Sequence, residues 1–190
     1  DAEIFVGCAG GIDTVATFKY GRSMAPEDFH YFLMDVRDGL GGHSGGDIHL
    51  GRANANKIVA RFLFSLMKAH DTVTISEIDG GNLRNAIPRA AHVVFGVHKS
   101  AAFNQYAATI ANEYKGLENT LKLTIETADK PAFTIDETTT RNLVMALYSA
   151  PHGVQSWSRD MEGLVETSTN LASVKMKDDN RIVVTTSQRS

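Results

Sequence analysis

Apolar positions recur along this chain with two periods, one near two residues and one near 3.6, and the switches between them outline its elements. Residues 3–7 and 14–20 read as strands, with a tight turn at Gly7-Cys8-Ala9-Gly10-Gly11 between them. Residues 29–36 are apolar on both faces, as in a strand at the centre of a sheet. A helix follows in which Ile58, Val59, Phe62, Leu63, Leu66 and Met67 share one face while Lys57, Arg61 and Lys68 lie towards the other. Asn54 or Asn56 is placed to cap its start. Residues 72–78 alternate, with Val73 and Ile75 on one side, and 91–97 form a further strand. Ser100 is placed to cap a second helix with the stripe Phe103, Tyr106, Ala107, Ile110 and Tyr114, and Leu121, Leu123 and Ile125 alternate in the next strand. From residue 29 the order is β-α-β-β-α-β, the split pattern of a ferredoxin-like α+β sandwich: one antiparallel sheet with helices on one face.

The remainder reads as a partial second α/β extension. Asp136 is placed to cap a helix containing Leu143, Val144 and Leu147, which Pro151 terminates. Residues 164–176 and 181–186 then form a hairpin around Lys177-Asp178-Asp179-Asn180. This divides the chain into a ferredoxin-like unit with N-terminal strands over 1–130 and a helix-plus-hairpin extension over 131–190. No sequence repeat relates the halves.

With 190 residues, 43% of them hydrophobic, the chain is long enough to bury a core. A formal net charge of −3 supplies no field to attract nucleic acid or an anionic membrane. Cys8 is the only cysteine, so neither an internal disulfide nor a cysteine-based zinc site is possible, and a reducing, cytoplasmic compartment is the simplest setting. No apolar run reaches bilayer length, and the start lacks the basic and hydrophobic regions of a signal peptide. The lack of a starting Met and the abrupt ends predict a piece of a longer protein.

Candidate chemistry concentrates in Gly39-Leu40-Gly41-Gly42-His43-Ser44-Gly45-Gly46. The seven histidines are scattered, and no His-Glu-x-x-His or His-x-Asp pattern brings metal ligands together. Asp47-Ile48-His49 is better explained as a solvated loop than as a metal site. There is no Gly-x-Ser-x-Gly elbow, and adjacency points His43 and Ser44 apart. A glycine-rich anion-binding loop is a rival, but no Gly-Lys-Ser/Thr element follows it. His43 stands among residues with little side-chain bulk, where an imidazole can donate to a developing oxyanion. From spacing alone, a surface turn with an incidental histidine is the simpler account.

Four ordered blocks change the picture. Gly41-Gly42-His43-Ser44-Gly45-Gly46-Asp47-Ile48-His49 with Asn54-Ala55-Asn56-Lys57 resembles the bacterial aminoacyl-histidine dipeptidases. So do Gly7-Cys8-Ala9-Gly10-Gly11-Ile12-Asp13, Leu83-Arg84-Asn85-Ala86-Ile87-Pro88-Arg89 and Val165-Glu166-Thr167-Ser168-Thr169-Asn170. That family belongs to the co-catalytic zinc peptidases, with carnosinases, glutamate-releasing carboxypeptidases and aminoacylases. The resemblance implies that this chain is the inserted lid, or dimerisation, domain. Two zinc ions would be bound by a separate catalytic domain, with no metal site within this chain.

It further implies that His43 is the lid histidine that steadies the scissile carbonyl oxygen and that Asn85 contacts the dipeptide substrate. Arg189 would grip the substrate's free carboxylate, with Asn170 as a companion. Relatives with smaller lids carry their carboxylate-binding arginine on the strand after Asn-x-Ile-Pro, where this chain has His98, so Arg84 and Arg89 stand as alternatives to Arg189. A homodimer is expected, and the isolated chain is expected to hydrolyse nothing. A different class of role is a purely structural oligomerisation module, using the apolar helix 58–67 or an exposed sheet edge.

Overall fold

The computed structural model describes residues 9–70, 72–99 and 103–190. The strand expected at 3–7, Cys8 with the first part of the glycine turn, and the Ser100 cap lie outside the described residues. The first half comprises β1 (Gly11–Lys19), β2 (Arg22–Ser23), β3 (His30–Arg37), β4 (Gly42–His43), α1 (Ala55–Ala69), β5 (Val73–Gly80), β6 (Ala86–Ile87) and β7 (Ala91–Val97). It is followed by α2 (Asn104–Glu113), β8 (Lys122–Thr127), β9 (Thr134–Ile135), α3 (Glu137–Ser149), β10 (Gly153–Trp157), β11 (Val165–Lys177) and β12 (Arg181–Arg189).

Every ladder in the main sheet is antiparallel, and the strand order is β1-β12-β11-β5-β7-β3-β8, with β10 also paired to β11. The four strands β5-β7-β3-β8, with α1 and α2, have the ferredoxin-like order the sequence predicts. Of the extension's strands, β9 pairs with β2 in a separate two-residue ribbon. The extension's hairpin joins the main sheet through Val174 opposite Gly80 and Lys175 opposite Asp79. Lys175 also donates to the Asp79 carboxylate at 2.6 Å across this narrow seam.

Period explains most of the sheet's burial, and one bulge explains an exception. In β5 the register shifts between Ile75 and Glu77, so Val73, Ile75 and Ile78 are all buried although strict alternation would turn Ile78 away. The longest new element is β10, whose apolar content is too sparse to announce a strand.

α1 occupies the middle of the helical layer. Phe62 sits at the centre of an aromatic cluster with Phe95, Phe103 and Tyr106 at ring-centroid separations of 5.0–5.8 Å. Arg61 joins α1 to α2 through a two-pronged pair with Glu113 at 2.8 and 2.7 Å. On the opposite flank Phe64 stacks on Tyr148 of α3 at 3.8 Å. The apolar face at Ile58, Phe62, Leu63 and Leu66 is therefore spent inside the domain, which leaves only the outer face of this helix, with Ser65 and Lys68, open to an oligomer contact. Among the described strands, the path of the sheet ends at β1 and β8.

Both expected caps are made where Asn54 and Asp136 stand. The Asn54 side chain accepts from the Lys57 N–H at 3.1 Å, and Asp136 accepts from the Thr139 N–H at 2.9 Å.

Candidate functional site

The glycine run folds into a short ribbon and a turn. Gly42 and His43 form β4, which pairs with Ala86 and Ile87 of β6. The turn closes on itself: the His43 N–H donates to the Asp47 carboxylate at 2.8 Å, and the Asp47 N–H returns to the His43 carbonyl at 2.9 Å. Gly42 has φ of 135°, and a Cβ there would run into that carboxylate, so both backbone shape and space require glycine.

The His43 ring is exposed, and its Nδ1 accepts from two backbone donors, the N–H groups of Gly45 at 3.2 Å and Gly46 at 3.0 Å. A neutral imidazole has one donor and one acceptor nitrogen. With the Nδ1 lone pair engaged, the ring proton belongs on Nε2, an assignment that follows from the donors. The turn thereby fixes the tautomer that presents an N–H donor from an exposed ring.

β4/β6 pairing brings the second candidate beside the first. His43 lies opposite Ala86, and the Ser44 N–H donates to the carbonyl of the neighbouring Asn85 at 2.8 Å. The Asn85 residue is exposed. Asn170, fully buried on β11, lies beneath this turn rather than on its outer surface. Its amide donates to the carbonyls of Arg84 at 3.3 Å and Ala86 at 2.8 Å, on either side of Asn85. Its own oxygen accepts from the Asn54 amide at 3.4 Å, which links the turn to the start of α1.

Arg189 reaches the same place from the last strand. A Cβ on Gly45 would meet Arg189 Cδ and Nε, each at 3.1 Å, and His43 Cε1 at 3.2 Å. Guanidinium and imidazole thus both stand beside one residue that has no side chain. Among the described residues Arg189 Nε is buried without a hydrogen-bond partner, as is the Ser44 hydroxyl. An orphaned guanidinium N–H is costly unless a ligand or water completes it.

The other arginines and His98 stand elsewhere. Arg84 is exposed and pairs with Asp13 at 3.1 Å. Arg89 donates through Nε to the Gly39 carbonyl at 2.8 Å, supporting the backbone before the glycine run. His98 lies 3.1 Å from the Asp28 carboxylate, beyond the opposite end of β7. Sequence reasoning missed three members of this region: Asp47 as the brace of the turn, Ser44 as a buried hydroxyl, and Glu118, whose carboxylate contacts the loop from a distant segment. Asp47 and Ser44 carried a signal, their place inside the resembling block, and Glu118 carried none.

Among the described residues no group of three His, Cys, Asp or Glu side chains could hold a metal ion, so these residues do not fit a zinc centre. Nor is any described helix long and apolar enough to cross a membrane.

Residues 36–117 match the model of the M20 peptidase dimerisation domain. The chain is 34% identical over 186 residues to the cytosol non-specific dipeptidase of Escherichia coli (strain K12), which covers 95% of this chain and 38% of that protein. It superposes on the crystal structure of aminoacylhistidine dipeptidase from Vibrio alginolyticus with a TM-score of 0.89 and 34% identity, covering 98% of this chain and 39% of that one. The chain thus spans about two-fifths of the length of these relatives.

Proposed function

We propose, from the match of residues 36–117 to the M20 peptidase dimerisation domain and the alignment of nearly the whole chain with two dipeptidases, that this chain is the lid of a zinc-dependent dipeptidase acting on Xaa-His and related dipeptides. In this reading residues 1–130 are the ferredoxin-like body of the lid and 131–190 its extension. Two zinc ions are held by a catalytic domain elsewhere in a longer, cytoplasmic, homodimeric protein, and supply the chemistry of hydrolysis there. The isolated chain hydrolyses nothing, because in this reading the catalytic domain supplies the chemistry of hydrolysis.

The observation that carries this reading is the fixed tautomer of His43. Two N–H donors on Nδ1 leave Nε2 as a preset donor, which is what a tetrahedral oxyanion requires. Arg189, whose side chain stands beside Gly45 and His43, pairs with the free carboxylate of the dipeptide through its guanidinium. Asn85, beside His43, contacts the substrate backbone, and Asn170 positions Asn85 from below. Oxyanion donor and carboxylate clamp both stand close to Gly45, an arrangement suited to a very short substrate.

The test is His43→Ala in the full-length protein. kcat should fall by roughly two to three orders of magnitude while bound zinc is unchanged. An unchanged kcat would end the assignment.

A second reading, an oligomerisation module, is favoured by the matched family's own description and by the position of β1 and β8 at the ends of the sheet among the described strands. Sedimentation of the full-length protein separates the cases. A dimer that persists in the His43→Ala variant supports an assembly role independent of the site, and a monomer removes it.

A further inference from the structure

The loop that presents His43 leaves the sheet after β3 and returns at the start of α1, and one buried carboxylate holds both of its ends. Glu118, 7% exposed, lies between α2 and β8, far from the loop in sequence. One of its oxygens, Oε2, accepts the Leu40 N–H at 2.8 Å, and the other, Oε1, accepts the Ala53 N–H at 2.8 Å. Those amides bracket residues 41–52, which include His43, Gly45 and Asp47. Neighbours of Glu118 continue the strap: the Thr120 hydroxyl donates to the Asp38 carbonyl at 2.7 Å, and Lys122 reaches the Asp38 carboxylate at 2.8 Å.

We propose that Glu118 is a positioning residue for His43, closing the neck of the catalytic loop and fixing where the imidazole stands. The inference rests on the reading of His43 as oxyanion donor, but its physical content is separate. A carboxylate out of water is held only by strong partners, and here both partners are backbone amides that no ladder or helix uses. The two amides would otherwise be left unsatisfied at the neck of a glycine-rich loop. Within the loop, Arg52 donates to the Gly41 carbonyl at 2.7 Å and Asp47 holds the His43 N–H, so the clamped neck and the turn form one braced unit. Loosening the neck moves the imidazole, and misplacement by about 1 Å is enough to cost up to about a hundredfold in rate.

The experiment is a double-mutant cycle in the full-length, zinc-loaded protein, using Glu118→Gln and His43→Ala. Gln keeps the size of the side chain but offers a donor where one amide needs an acceptor. Glu118→Gln should lower kcat about 10- to 100-fold in the parent and by no further factor once His43 is Ala. Equal losses in both backgrounds would overturn the proposal, because a general structural defect multiplies with the loss of His43. An unchanged kcat in the Glu118→Gln protein would overturn it as well. If His43→Ala alone leaves kcat untouched, the oxyanion reading fails, and the clamp is then judged by hydrogen exchange in the unmodified protein. There the amides of Leu40 and Ala53 should exchange slowly, and rapid exchange at either would refute the clamp even if Glu118→Gln does not fold.

Discussion

At the scale of single residues, the site is shaped as much by a missing side chain as by the groups present. Gly45→Ala places a methyl group 3.1 Å from the Arg189 side chain and 3.2 Å from that of His43. In the full-length protein we expect KM for dipeptides to rise and kcat to fall together, since both partners are displaced, and steady-state kinetics will read the two separately. Arg189→Lys retains the charge but loses the fork that grips a carboxylate, so its effect should fall mainly on KM. How far these roles could be seen in the sequence differs by residue. On spacing alone His43 reads as incidental to a surface turn, and it stands out only through the resembling block around it. Asn170 is expected as a companion in substrate binding; its 0% exposure and its bonds to the carbonyls on either side of Asn85, which no sequence pattern announces, are what the structure adds. Glu118 left no trace, since an acid in Gly-Leu-Glu-Asn-Thr reads as solvated until the fold brings the loop neck to it.

At the scale of elements, α3 depends on a neighbour for its end. Lys57 of α1 donates to the carbonyls of Leu147, Tyr148 and Ala150 at 3.1, 2.7 and 2.8 Å, where the helix has no intrahelical donors left. Burial lowers the pKa of this ammonium, with Arg61 adding to the effect. Lys57→Met should cost about 1–3 kcal/mol in equilibrium denaturation and loosen the C-terminal turn of α3 first. Removal of the other cap, Asp136→Ala, should cost about 1 kcal/mol. The strands and helices of the ferredoxin-like unit were legible because each is long enough to display its period. The ribbons β2/β9 and β4/β6 were not, because two residues carry no period and long-range pairing alone creates them. The bulge in β5 was hidden for a related reason: an inserted residue breaks the alternation that defines a strand.

At the scale of the molecule, one imidazole couples stability to acidity. His152 is withdrawn from water, which together with the Lys57 charge lowers its pKa from 6.5 to about 4, and its Nδ1 lies 3.1 Å from the Asn54 amide. The unfolded chain takes up a proton near pH 6.5 and the folded one only near pH 4. This contribution is therefore complete above about pH 6.5 and is lost as pH falls towards 4, by no more than about 3 kcal/mol. Denaturation of the wild type and of His152→Gln across this range will test it: the difference between them should shrink with acid. The position of Arg189 beside His43 also belongs to this scale. It depends on the hairpin β11/β12 joining the first sheet through the two-residue seam with β5, a junction that neither half announces.

The two N–H groups lodged on Nδ1 of His43 have a consequence outside hydrolysis. Acylating reagents such as diethyl pyrocarbonate need a free ring lone pair, and the only one in this tautomer is already occupied. His43 should therefore stay largely unlabelled although solvent reaches it, while the exposed ring of His49 a few residues away is modified. Peptide mapping by mass spectrometry would reveal an accessible histidine that electrophiles pass over.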